Sequence, residues 1–347
     1  MNITQIGFDL AKNVFQVHGI DERGKAALRK QLKRQHVIRF FTQLPPCLIG
    51  MEACGGAHFW ARKLGSLGHT VRLIAPQFVK PFVKTNKNDA ADAEAICDAV
   101  GRPNMRFVPI KNTEQQALLG LHRARQGFVV GRTAQVNQIR GLLTEFGLVM
   151  PAGIRSIEAK LPEMIEDADN GLSGASRALF ARLFEHFRAL DRQVEELERE
   201  INAWHREDAA SQRLQAVPGI GPLTASALVA SVGDAKVFHN GRQFAAWLGL
   251  VPRQYSSGGK KTLLGISKRG DTYLRTLLIH GARSVLLQLK RHPDQANGWL
   301  ARVAARRNPN IAAVALANKN ARTVWALLAH GRDYRAGYRS PAIAAAI

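Results

Sequence analysis

The spacing of apolar and polar positions changes character three times along the chain. Over the first hundred residues it is short and alternating. Residues 3–10 read as a strand ending in Phe8-Asp9-Leu10, and residues 13–20 as a second strand in which Val14, Gln16, Val17 and His18 alternate imperfectly. Asp21-Glu22-Arg23-Gly24 reads as a turn and residues 26–32 as a third strand. A helix over 37–43, a strand over 47–51 leading to Glu52, a helix over 59–67 and a strand at Thr70–Ile74 follow. Asp89–Val100 is an alanine-rich helix with Asn88 as its N-cap. The order βββαβαβα predicts a mixed α/β domain.

The period then lengthens. Residues 113–146 read as one long helix bearing Arg123, Arg125, Arg132 and Arg140, followed by Pro/Gly-rich breaks near 151–153 and 170–174. Between Phe180 and Trp204 the apolar residues Phe180, Leu183, Phe187, Leu190, Val194, Leu197, Ile201 and Trp204 alternate steps of three and four. Such a seam predicts a coiled coil between chains, and hence at least a dimer; the simpler alternative is an amphipathic helix docked on its own domain. After Gln212, short helices are punctuated by glycine. The expected organisation is an α/β domain with the long basic helix at its end (1–150), a helical connector (151–211), a mainly helical domain (212–335) and a frayed tail (336–347).

Charge sharpens this picture. The 347 residues carry 49 Lys+Arg against 27 Asp+Glu, a net +22. From residue 251 onward, 17 Lys and Arg face three acids (Asp271, Asp294 and Asp333), a local +14 interleaved with apolar helical segments. This predicts a folded basic surface for a nucleic-acid partner. Cys47, Cys54 and Cys97 lack zinc-finger spacing and are read as buried thiols in a reducing compartment. No run approaches the ~20 apolar residues of a membrane helix, and the start lacks signal-peptide character. A cytoplasmic protein without a membrane partner is expected.

Four acids in the first domain are placed as a metal site needs them. Asp9 ends the first strand, Glu52 follows another, and Asp89 and Asp92 share one face of a helix start. Converging oxygens would suit Mg²⁺ or Mn²⁺; the simpler alternative is solvated acids favoured by a helix dipole. Further on, Pro218-Gly219-Ile220-Gly221-Pro222 resembles a helix-hairpin-helix turn, in which Gly219 and Gly221 would let backbone N–H groups approach a phosphate. A Tyr-Ser-Ser-Gly-Gly loop carries Ser256 and Ser257 between Arg253 and Lys260-Lys261. Either serine, or Tyr255, could attack phosphorus if activated; the alternative is a surface loop that only binds phosphate. Lys268 and Arg269 add a further basic face.

These motifs jointly resemble one family. Ile6-Gly7-Phe8-Asp9-Leu10-Ala11-Lys12, Met51-Glu52-Ala53 and Asp89-Ala90-Ala91-Asp92-Ala93 are similar to the DEDD segment of the Piv invertase and insertion-sequence transposase family, the family numbered one-ten. Pro218-Gly219-Ile220-Gly221, Gln243-Phe244-Ala245-Ala246, Gly249-Leu250-Val251-Pro252-Arg253 and Ser257-Gly258 are similar to its carboxy-terminal transposase segment. Ser267-Lys268-Arg269-Gly270-Asp271 resembles its eleven-eleven subgroup. The resemblance implies a RuvC-like, RNase H-type domain with Asp9, Glu52, Asp89 and Asp92 as Mg²⁺ (or Mn²⁺) ligands, a coiled-coil connector, and a domain whose serine attacks DNA. Ser257 takes the nucleophile's place, with Ser256 as the alternative. The family also implies an element-encoded bridge RNA, for which the long helix bearing Arg125 and Arg132 is the candidate contact; a homodimer through the coiled coil, or a homotetramer, is expected. Two other activities fit the same residues: a RuvC-like junction nuclease without serine catalysis, and a site-specific DNA invertase.

Overall fold

The alternating stretch at the amino end forms one mixed sheet, its central strands setting large apolar side chains (Ile6, Phe8, Ile49, Met51) on one face and polar, acidic or glycine positions (Gln5, Gly7, Asp9, Gly50, Glu52) on the other. In the computed structural model, which describes residues 2–84, 88–292 and 298–336, the chain divides into two compact units, Met1–Gln115 and Gln116–Ile347.

The first unit contains β1 (Ile3–Asp9), β2 (Val14–Asp21), β3 (Ala26–Lys33), α1 (Val37–Thr42), β4 (Leu48–Glu52), α2 (Ala57–Gly65), β5 (Thr70–Ile74), α3 (Pro76–Val79), α4 (Asp89–Val100) and β6 (Phe107–Val108). The strand order is β3-β2-β1-β4-β5-β6. β2 runs antiparallel to both β1 and β3, β4 runs parallel to β1 and β5, and β6 returns antiparallel to β5. On one sheet face Ile6, Phe8, Ile49 and Met51 are fully buried, in a core shared with Val37 and Phe41 of α1 and Trp60 and Leu64 of α2. Phe8 anchors that core, stacked 5.4 Å from Phe15 and edge-on to Phe41 at 5.1 Å.

The opposite face carries Gly7 and Gly50, which pair directly across β1 and β4. A Cβ on Gly7 would lie 2.0 Å from the Ala93 carbonyl oxygen and 2.4 Å from the Cys97 nitrogen; one on Gly50 would lie 2.6 Å from Val100 Cβ. Helix α4 therefore rests directly on the sheet, nearer than any side chain would allow. Its buried side is small accordingly: Ala93, Ala95, Ile96, Cys97, Ala99 and Val100. Gln5 Nε2 donates to the Cys97 carbonyl at 2.5 Å, fixing the far end of the helix.

The second unit opens with α5 (Thr113–Thr144), which begins just before the division, then α6 (Ile154–Glu166) and α7 (Gly174–Glu207). The apolar seam of α7 is covered within the same chain, which corrects the expectation of a partner chain along it. Phe180, Phe187, Val194 and Ile201 are each at most 3% exposed. Phe180 and Phe187 share a core with Val136, Ile139 and Leu143 of α5, Leu190 lies against Gly131, and Ile201 packs with Leu118. The residue pairing runs in opposite directions on the two helices, so α5 and α7 form an antiparallel pair. Arg140 closes the turn after α5, donating to the carbonyls of Pro151 and Gly153 and to Ser156 Oγ. Arg177 does the same before α7 through the Leu172 and Ile165 carbonyls and Asn170.

Beyond lie α8 (Ala209–Gln215), α9 (Pro222–Val232), α10 (Gly241–Trp247), a hairpin of β7 (Pro252–Ser257) and β8 (Lys260–Ile266), then α11 (Thr272–Arg291), α12 (Trp299–Arg306) and α13 (Pro309–His330). Helices α9, α10, α11 and α13 share one aliphatic core. His122 of α5 joins them: it is 1% exposed, with Nδ1 3.0 Å from Tyr273 Oη and Nε2 3.1 Å from Ser226 Oγ. Burial, and then the Arg125 charge, push its pKa down to about 4, so the ring is neutral at physiological pH. The expected tail from 337 onward lies outside the described residues.

Substituting Gly7→Ala places a methyl group against the α4 backbone, which cannot give way as a flexible side chain could. The expected cost is about 1–3 kcal/mol, read as a lower denaturation midpoint. Gly24→Ala meets no atom within 4 Å but strains a positive-φ turn; its expected loss is about 1–2 kcal/mol, from backbone strain alone.

Candidate metal centre and nucleic-acid surfaces

Two residues beyond the paired glycines, β1 ends in Asp9 and β4 in Glu52. Side chains alternate along a strand, so both acids emerge on the face of Gly7 and Gly50, the face that α4 covers. Helix α4 starts there, capped by Asn88, whose Oδ1 accepts from the Ala91 N–H at 2.7 Å. Asp89 and Asp92 occupy its first turn. Asp9, Asp89 and Asp92 each offer an oxygen, all within 4.8 Å of one another. Thus the structure brings three of the four predicted acids into one cluster, and Glu52 stands near enough for its charge to act on Asp9.

The electrostatic consequence falls on Asp9. Burial first, then the charges of Asp92, Asp89 and Glu52, push its carboxyl up to about 6. A cluster of carboxylates that repel one another and hold a proton is relieved by a divalent cation. An all-oxygen donor set without sulphur or imidazole fits Mg²⁺ or Mn²⁺. Cys47 and Cys97 are buried, as expected of unreactive thiols, whereas Cys54 is exposed just past Glu52.

The serine segment is a β-hairpin rather than an irregular loop. Gly258 and Gly259 take positive φ (54° and 78°), which a two-residue hairpin turn demands. Ser257 pairs with Lys260, Ser256 with Lys261 and Tyr255 with Thr262. Directly opposed residues share a face, so Ser257, Lys260, Tyr255 and Thr262 lie on one side and Ser256 on the other. The Ser256 hydroxyl is engaged, accepting from the Thr262 N–H at 3.3 Å and from the Gln254 amide at 3.0 Å. Ser257 Oγ has no hydrogen-bond partner among the described residues. Arg253, Lys260, Lys268 and Arg269 are all exposed around this ribbon; the Lys261 side chain lies outside the described residues. The hairpin base is anchored where the 267–270 segment crosses the turn after α10. Ser267 N–H donates to the Val251 carbonyl at 2.8 Å, and a Cβ on Gly249 would lie 2.3 Å from the Arg269 oxygen.

Two basic expectations require correction. Arg125 is bound to Glu198, its Nε donating at 2.8 Å, and Arg132 is bound to Asp191; their side chains are only 16% and 18% exposed. These arginines join α5 to α7 instead of standing free on the helix surface. The glycine turn is also explained by packing: Gly219 (φ 87°) abuts Gly281 of α11, where a Cβ on Gly281 would lie 1.8 Å from the Gly219 oxygen. Gly221 caps α9 and has open space around it. The residues overlooked in the sequence are Gly7 and Gly50. Their signal was present in Gly-x-Asp and Gly-x-Glu, where a glycine two places before each acid marks a close approach on the acid's own face.

A carboxylate cluster on a mixed sheet, in a chain whose other unit displays a basic hairpin with an unengaged serine, defines the class: a nucleic-acid-processing enzyme. Residues 6–147 match the DEDD family model described as "Transposase", and residues 211–296 match the "Transposase IS116/IS110/IS902 family". The chain is 55% identical over 338 residues to the "Probable family 20 transposase" of Pseudomonas aeruginosa, covering 97% of this chain and all of that one. It is 46% identical to the transposase for insertion sequence element IS1328 of Yersinia enterocolitica (95% and 98% covered) and 45% identical to that for IS1111A of Coxiella burnetii (97% and 92%). The chain belongs to the IS110 family of insertion-sequence transposases. Among the described residues no helix is long and apolar enough to cross a membrane.

The raised Asp9 carboxyl sets a pH dependence. The folded protein holds this proton more tightly than the unfolded chain. The metal-free fold therefore loses that stabilisation as pH rises from about 4 through about 6, and a bound cation offsets the loss. Asp9→Asn is expected to raise the metal-free melting temperature at neutral pH by about 2–4 °C, and to remove the further stabilisation that Mg²⁺ gives the wild type. Thermal melts with EDTA or Mg²⁺ decide this; a variant that melts lower, or responds equally to Mg²⁺, contradicts the assignment.

Proposed function

We propose that this transposase cleaves and rejoins DNA through a serine-linked intermediate, with Ser257 as nucleophile and a divalent metal held by Asp9, Asp89, Asp92 and Glu52. The observation that carries the reading is the convergence of Asp9, Asp89 and Asp92 at the meeting of β1 and the α4 N-terminus. The sheet order, with only β2 reversed among the first five strands, supports an RNase H-type domain like that of RuvC. The unengaged hydroxyl of Ser257 opposite Lys260 favours it over Ser256, whose oxygen already accepts two hydrogen bonds.

When bound, Mg²⁺ (or Mn²⁺) supplies charge neutralisation and polarisation of a phosphodiester. The chain's own groups do the rest. Ser257 Oγ attacks phosphorus; a new phosphoserine bond forms as one P–O bond of the DNA breaks, and the departing DNA oxygen takes up the proton that the serine releases. The phosphoester bond is conserved, so reversal by another DNA hydroxyl rejoins strands without ATP. Lys260, on the same face as Ser257, is placed to neutralise the attacked phosphate. Arg253, Lys268 and Arg269 hold the flanking backbone. Choice of site is assigned to an element-encoded guide RNA, with the protein reading backbone shape. The reaction is placed in the cytoplasm, on nucleoid DNA. The functional division that goes with this reading is a carboxylate domain, a helical connector and a serine-bearing domain over 212–335.

A denaturing gel tests the chemistry, using the full chain with its co-purified RNA, Mg²⁺ and a labelled nicked element end. A covalent protein–DNA adduct is expected with wild type and Ser256→Ala, and loss below detection with Ser257→Ala and Asp9→Ala. Free cleaved DNA without adduct, unchanged by Ser257→Ala, would overturn the serine mechanism in favour of a metal-dependent junction nuclease.

A further inference from the structure

The basic residues that the long helix keeps for ion pairing leave open which part of the helical unit meets a nucleic acid away from the hairpin. A cleft of about 790 Å³ answers to that need. It is lined by Arg199, Asn202, His205 and Arg206 of α7, Gln212 and Gln215 of α8, and Pro222 at the start of α9. Among the described residues no acidic side chain lines it. Arg199 and Arg206 are exposed, and neither has a carboxylate within 4.0 Å among the described residues.

Heptad geometry explains how the arginines reach outward. With the buried seam at Phe187, Val194 and Ile201, Arg199 and Arg206 fall seven residues apart on the stripe opposite the seam. Two helical turns separate them by about 10.5 Å along the axis. That spacing is comparable with the ~12 Å width of a duplex major groove, so two phosphates across a groove or along a strand fall within their reach. The C-terminal dipole of α7 accounts for Arg206 in its last turn but not for Arg199 two turns earlier.

The cleft floor is built and donor-rich. His205 is 4% exposed, with Nδ1 2.7 Å from Ser211 Oγ and Nε2 2.8 Å from Gln215 Oε1. The mutually consistent arrangement has Ser211 donating to Nδ1 and Nε2–H donating to Gln215. This ties up the Gln215 oxygen and leaves its NH₂ for a ligand. Helix α9 starts at the rim with no side-chain cap on its first N–H groups. Two guanidinium groups, amide donors and no acid match an anion with many acceptor oxygens.

We infer that this α7–α8–α9 cleft is a second nucleic-acid site, gripping a sugar-phosphate backbone through Arg199 and Arg206. The inference rests on the chain acting on nucleic acid, but not on its serine or its metal.

Its test is therefore binding without cleavage. The full chain is titrated in EDTA against a labelled element-end duplex and, separately, a labelled hairpin RNA from the element's non-coding end, over a series of salt concentrations. Arg199→Gln with Arg206→Gln is expected to weaken binding about tenfold per arginine and to flatten the log–log salt slope by about 1.8 on duplex or about 1.4 on single strand. Arg188→Gln with Arg192→Gln, which removes the same charge from α7 outside the cleft, should weaken binding much less. Gln215→Glu, which places an acid in the cleft, should reproduce the loss with folding verified by an unchanged melting curve. Loss on the duplex alone assigns the cleft to DNA, and loss on the RNA alone to RNA. Unchanged affinity and slope on both, or equal losses from the two arginine pairs, overturns the proposal. Binding is read in EDTA, without cleavage or adduct, so a failed adduct assay and a failed cleft remain distinguishable.

Discussion

The first unit depends on the direct contact between helix α4 and two glycines of the central strands. Gly7 and Gly50 remove the side chains that would hold the helix away, and the backbone at Ala93 and Cys97 fills the space. Everything chemical follows from that approach. It is why α4 is alanine-rich on its buried side, why Asn88 caps the helix at the strand ends, and why Asp89 and Asp92 arrive beside Asp9. The same contact makes the site electrostatically unfavourable when empty, since burial and three neighbouring acids act on one carboxyl. A well-packed scaffold thus holds like charges together, the usual cost of a site arranged for a cation.

The helical unit treats its positive charge differently. Of the arginines on α5, Arg125 and Arg132 neutralise Glu198 and Asp191 of α7, and Arg140 braces a turn. Partly buried pairs of this kind set register between two helices more than they add stability. Arg275 of α11 is likewise buried, donating to the Leu248 carbonyl at 3.2 Å. Net charge therefore overstates the cations open to phosphate, although many remain exposed, among them Arg253 and Lys260 on the hairpin, Arg199 and Arg206 on α7, and Arg302 and Arg306 on α12.

The legible parts of the sequence were those where local pattern and tertiary role agree. Thr70–Ile74 and Asp89–Val100 match their observed bounds because alternation and capping each mark an end. The two-residue strand β6 escaped notice because its pairing with β5, not its own sequence, makes it a strand. The seam of α7 was visible as a period, but a period names an apolar face and not its cover, so a partner chain was expected where α5 lies. An arginine on a helix looks alike in sequence whether it meets a carboxylate or water, hence the misplaced roles of Arg125 and Arg132. The acids were legible singly and their convergence was expected only on condition or through the family resemblance, because it depends on a helix crossing two strands remote in sequence.

The serine ribbon carries a final consequence for how such a chain can change. Its register is set by its own Gly-Gly turn, and neighbouring residues point to opposite faces. Losing Ser257 itself would bring Ser256 next to the turn, across from Lys260. A serine doublet on a self-registering ribbon thus keeps a hydroxyl opposite Lys260 after such a loss, while the shortened strand must shift against its anchored base at Val251.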